Sequence, residues 1–132
     1  LIANYEYRSL KVQEILMNDY ANNTFSLDIK EIEKIDYKLP NLSSNSVPVS
    51  TYLSRYYINE NLFNESIKLL NYSLIANKYD LMTKELLLKN YIFTNQLNKA
   101  YDLVKNLLDK YPNNKNYSEL FHAISIDLEI KD

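Results

Sequence analysis

Few side chains in this sequence are of types that do chemistry, and their spacing limits what they can do. His122 is the single histidine, and there is no cysteine. A lone imidazole without thiolates cannot assemble a zinc site, which needs three or four nitrogen, sulfur or carboxylate donors. The lack of cysteine also excludes disulfides and cysteine nucleophiles. The acidic pairs Glu31/Glu33 and Asp127/Glu129 stand two residues apart. On a helix such residues do not face each other, so they read as solvated faces rather than acid/base couples. No Ser–His–Asp order and no EF-hand spacing can be assembled. With no glycine at all, phosphate-binding glycine loops, Rossmann fingerprints and nucleophile elbows are excluded too. The expectation is a non-catalytic domain that takes no cofactor and no metal.

What remains is binding chemistry. The 13 tyrosines offer stacking faces with polar tips, as peptide or carbohydrate recognition requires. Helical spacing assigns most of them to packing instead. Asn-x-Ser/Thr sequons at Asn22, Asn41 and Asn64 are expected by chance in so Asn-rich a chain. A net charge of -2 with only two arginines, Arg8 and Arg55, gives no electrostatic footprint for nucleic acid. No run of about 18 apolar residues is present, so the segment is not expected to insert in a membrane. Nor does it open on a basic and then apolar leader. The first residue is Leu1 rather than methionine, which reads as a piece of something longer or a processed product.

The elements that must position these groups are helices. The 132 residues, 46% of them hydrophobic, suit one domain with a real core. Apolar residues recur at helical intervals over 4–20 (Tyr5, Leu10, Ile15, Leu16) and over 27–37 (Ile29, Ile32, Ile35, Tyr37). Ser26 is placed to cap the second of these stretches. A loop over 39–49 carries Pro40 and Pro48. Further helices are expected at 49–59, 62–77, 81–95, 97–110 and 115–130, and alternation of the strand type is sustained nowhere. The fold class is all-α. Without glycine, left-handed turn positions must fall to Asn, Asp or another tolerated residue.

Shifting the chain by 34 residues lays its second half on itself. Leu53 falls on Leu87 and Phe121, Tyr57 on Tyr91, Ser66 on Ala100, Leu70 on Val104, and Asn61 on Asn95. On these positions, with Pro112 ending the second repeat, the chain resembles the tetratricopeptide family. The resemblance implies an antiparallel helical-hairpin array of about seven helices in a right-handed superhelix. Within a single domain spanning 1–132, a degenerate pair (1–38) and the loop (39–49) lead into repeats at 47–80 and 81–114 and a capping helix at 115–132. Three departures from the family are Leu88 and His122 where Ser54 is small, and Leu107 where Ser73 is small. His122 then falls on an interhelical packing position.

In that family the concave face, built from the first helix of each repeat, is the binding surface. Carried over position by position, the resemblance implies a site of Thr51, Arg55 and Asn59, then Glu85, Lys89 and Phe93, then Glu119 and Asp127. The mixed charges lack a clamp for a terminal carboxylate. A longer pattern, LPNLSSNSVPVS followed by SRYYINENLFNESIKLL and KELLLKNYIFTNQLNKAYDLVKNLLDKYPNN, resembles the soluble repeat region of O-antigen ligase-like proteins of Bacteroidetes-type bacteria. Lys78–Tyr79 and Asn61 depart from that pattern. It implies a periplasmic or extracytoplasmic module tethered to a membrane ligase or polymerase of glycans, with a protein, peptide or glycan as partner. The other reading is a freestanding cytoplasmic adaptor between proteins.

Overall fold

The computed structural model describes residues 2–38, 42, 43 and 45–129, with side chains from residue 10 onward. Pro40 lies outside the described residues. Seven helices are present among them: α1 (Ile2–Asn22), α2 (Ile29–Glu33), α3 (Val49–Asn59), α4 (Phe63–Ala76), α5 (Leu81–Phe93), α6 (Leu97–Lys110) and α7 (Lys115–Asp127). The fold is all-α, and the described residues contain no strand, only an isolated bridge between Leu42 and Pro48. From α3 onward each helix end lies within three residues of its expected place. None of these helices is long and apolar enough to cross a membrane.

The second helix is shorter than its periodicity predicts, for two local reasons. Ser26 does not cap it, because its backbone N–H and its hydroxyl both donate to Asp19 Oδ2, at 3.0 and 2.9 Å. Asp28 caps it instead, through a capping box with Glu31 in which each side chain accepts from the other residue's backbone N–H. At the far end Asp36 Oδ1 accepts from the Lys38 N–H, and this local turn competes with helix. Ile35 and Tyr37 therefore reach the core from irregular backbone.

The 34-residue period is visible in the backbone itself. Asn61 and Asn95 both adopt left-handed φ, of 59° and 57°. After each, the next N–H bonds back to a tyrosine carbonyl, Leu62 to Tyr57 and Gln96 to Tyr91, both at 2.8 Å. This is a Schellman closure, and Asn serves where glycine is usual. Asn23 closes α1 in the same way, with φ of 51°. The following corner repeats too: Asp80 accepts from the Thr83 N–H and Asn114 from the Tyr117 N–H. Burial keeps the same step. Leu53 and Leu87, Ser66 and Ala100, Leu70 and Val104, and Ser73 and Leu107 are all buried.

The chain divides into two compact units, Leu1–Thr83 and Lys84–Asp132. In the first, α3 packs on α4 and is also covered by α1 and α2. Leu16, Ile32, Val49, Tyr52, Leu53, Tyr56 and Leu69 form its core. A seam of small polar residues lets α3 and α4 approach. Ser50 and Ser73 share a hydrogen bond of 2.5 Å, and the Ser66 hydroxyl donates to the Ser54 carbonyl. In the second unit α6 packs on α7, and Tyr101 stacks on Phe121 with centroids 5.2 Å apart. His122 is exposed rather than packed between helices. Its place in a repeat faces the repeat's own second helix, and no helix follows α7 among the described residues.

Ala100 is fully buried where Ser66 lies in the first repeat. Ala100→Leu is expected to lower stability by about 1–3 kcal/mol through overpacking. A thermal melt reads this directly, and an unchanged midpoint would refute the close packing at this position.

Candidate groove between α5 and α7

An open groove of about 400 Å³ runs along the second unit between α5 and α7. Successive turns of α5 place Glu85, Leu88, Lys89, Ile92 and Phe93 along one side, the i, i+3, i+4 spacing of one helix face. From α7 come Asn116, Tyr117 and Leu120. Asn114 accepts from the Tyr117 N–H at the start of α7, which fixes where that first turn points. The walls are mostly apolar, and Phe93 leaves 54% of its surface to solvent.

The polar groups are arranged around this apolar strip. The Tyr117 hydroxyl donates to Glu85 Oε1 across the groove. Burial, and then the neighbouring carboxylate, push the Tyr117 phenol above its ordinary range, so at neutral pH it stays a donor. Lys89 Nζ lies 5.7 Å from the Phe93 ring centroid, a cation–π contact. Lys89 itself is exposed. Tyr111 leans on Tyr117, with centroids 6.2 Å apart, and extends the aromatic surface.

Three of the eight expected site residues, Glu85, Lys89 and Phe93, are thus brought together. The other five are placed elsewhere. Thr51 and Arg55 are not on an open face. Thr51 is fully buried and its hydroxyl bonds that of Thr83 at 2.6 Å. Arg55 is only 7% exposed. Its guanidinium lies over the rings of Phe25 and Tyr20, at 4.8 and 5.4 Å, and Nη2 donates to Asn23 Oδ1. The chain's own segment at the end of α1 covers this face. Asn59 is exposed but lines a separate cleft of about 370 Å³ beside Phe25–Ile29. Glu119 and Asp127 are exposed on α7 and do not line the groove.

The groove residues that sequence reasoning missed are Leu88 and Ile92 on α5, and Asn116, Tyr117 and Leu120 on α7. A groove between the first helices of successive repeats needs two different faces. The earlier helix presents Glu85, Lys89 and Phe93, whereas the later one presents the residues near its own start. A trace of this was present in the register. Thr51–Thr83 and Glu85–Tyr117 are the same pair displaced by 34 residues, and both are hydrogen-bonded. No family model, curated protein or solved structure matches the chain.

Proposed function

We propose that the chain is a tetratricopeptide-like, non-catalytic binding module whose α5–α7 groove takes an apolar side chain of a protein or peptide partner. One observation carries this reading: an apolar strip of Ile92, Phe93 and Leu120 beside the buried Leu88 stays open to solvent, most of all at Phe93, with Glu85, Lys89 and Asn116 among its lining. Its volume falls in the range of about 300–1,000 Å³ usual for ligand pockets. The apolar lining favours a peptide over a glycan, whose hydroxyls need a denser set of polar partners. The 34-residue repetition of turns, caps and buried positions supports the repeat assignment.

The test is selection of peptides from a displayed library on the purified protein, followed by affinities of the selected peptides for Phe93→Ala. Loss of an exposed aromatic wall is expected to weaken binding by about 1–2 kcal/mol, roughly five- to thirtyfold. The melting temperature should hardly move, because Phe93 is half exposed. Selected peptides that bind Phe93→Ala as tightly as the parent would place the binding surface elsewhere and overturn the reading.

A further inference from the structure

Arg55 and Lys89 hold the same place in successive repeats, 34 residues apart. Each carries a cation on the first helix of its repeat, but their surroundings differ. Arg55 is covered by two rings, and Phe25 also packs edge-on against Tyr56, with centroids 5.6 Å apart. Between these rings in sequence, Asn23 turns the chain through left-handed φ, which brings Phe25 back over α3. Asp19, in the same segment, lies near enough to influence the guanidinium electrostatically. At Lys89 the cation is exposed and lies over the Phe93 ring beside it on α5. The first unit therefore displays, filled by its own chain, a kind of contact that the second unit leaves open.

We propose that the groove binds an acidic peptide segment through an aromatic side chain seated over Lys89, as Phe25 is seated over Arg55. This rests on the reading of the groove as a peptide site and specifies its partner. Charge supports the choice. Among the described residues Lys89 is the one cation lining the groove; the Glu85 carboxylate keeps its charge but is held at the Tyr117 hydroxyl. A carboxylate beside the anchor then meets an exposed ammonium. The ring gains from Lys89 and Phe93 together, through cation–π and edge contacts that an aliphatic side chain cannot make.

The probe is the acetylated peptide NDYANNTFSL, the sequence of residues 18–27, titrated into the isotope-labelled full chain and followed by amide chemical shifts. Two variants of the peptide carry Phe25→Leu and Phe25→Ala. Shifts are expected at Glu85–Phe93 and Asn116–Leu120. The leucine peptide should bind about two- to fivefold more weakly, the share expected of an exposed cation–π contact. The alanine peptide should lose more than about tenfold, since its apolar anchor is gone. On Lys89→Met protein the gap between the phenylalanine and leucine peptides should narrow, leaving only the share of the edge contact with Phe93.

Equal affinity of the phenylalanine and leucine peptides for the parent protein would overturn the aromatic preference and leave the peptide site standing. Shifts confined to α3 and the segment around Phe25 would show exchange with the chain's own cover and overturn the assignment to Lys89. If library-selected peptides shift the groove and none of these three does, this inference fails while the proposed function holds. If neither set shifts it, both fail.

Discussion

Asp19→Ala is expected to destabilise the first unit by about 1–3 kcal/mol, the cost of leaving a buried donor without its acceptor. Asp19 is 4% exposed and accepts from the Tyr56 hydroxyl, the Ser26 N–H and the hydroxyls of Thr24 and Ser26. Thr24 and Ser26 are exposed and can turn to water, whereas Tyr56, 2% exposed, cannot. Most of the loss should therefore come from Tyr56. Adding Tyr56→Phe to Asp19→Ala should recover part of it, since the orphaned hydroxyl is then gone. Urea unfolding of the two single variants and the double variant gives the coupling directly. A coupling near zero would refute the network as the tie between α1 and α3.

The same carboxylate fixes a pH dependence. Burial pushes Asp19 up, but the hydrogen bonds from Tyr56, Ser26 and Thr24 outweigh it and hold the group below the usual value of 3.8. Its contribution is thus complete above that value and is lost as the pH falls through the lower, folded one. The stability gap between parent and Asp19→Ala should be constant near neutral pH and narrow below pH 3.8. A gap that widens on acidification would reverse the sign argued here.

How much of this was legible beforehand follows from what each feature depends on. The helices from Val49 onward rest on local periodicity and on Asn at the turns, and both can be read along the chain. Asn61 and Asn95 could be matched because each must adopt left-handed φ in a sequence without glycine. The groove was half legible. Glu85, Lys89 and Phe93 follow from one helix face, but Tyr117 and Leu120 belong to a neighbour whose contribution depends on packing. The misplacement of Arg55 has a different cause. Nothing local in α3 shows that Tyr20 and Phe25, thirty or more positions upstream, will cover it. The degenerate N-terminal pair has no repeat register, so its contacts are tertiary throughout. Ser26 shows the same limit, since its capping groups are taken by Asp19 across the turn.

Leu107 provides the sharpest energetic test of the repeat. It is fully buried at the position that Ser73 holds in the first repeat. Leu107→Ala is expected to cost about 2–5 kcal/mol, the transfer of the lost methyl groups plus the cavity they leave. The two repeats fill this position by different chemistry. In the first, the Ser73 hydroxyl meets that of Ser50 and also donates to the Leu69 carbonyl. In the second, the residue 34 after Ser50 is Lys84, which offers no hydroxyl; burial and then the nearby Lys110 lower its pKa. Leu107→Ser would bring in the first repeat's residue without its partner. It should therefore cost at least as much as Leu107→Ala, with the polar group's desolvation added to the cavity. Lys84→Ser in the same chain supplies the missing hydroxyl, and part of the loss should return. Denaturant unfolding of the three variants checks the order. A mild Leu107→Ser with no coupling to Lys84→Ser would mean that contacts do not carry over between repeats, whatever the backbone turns share.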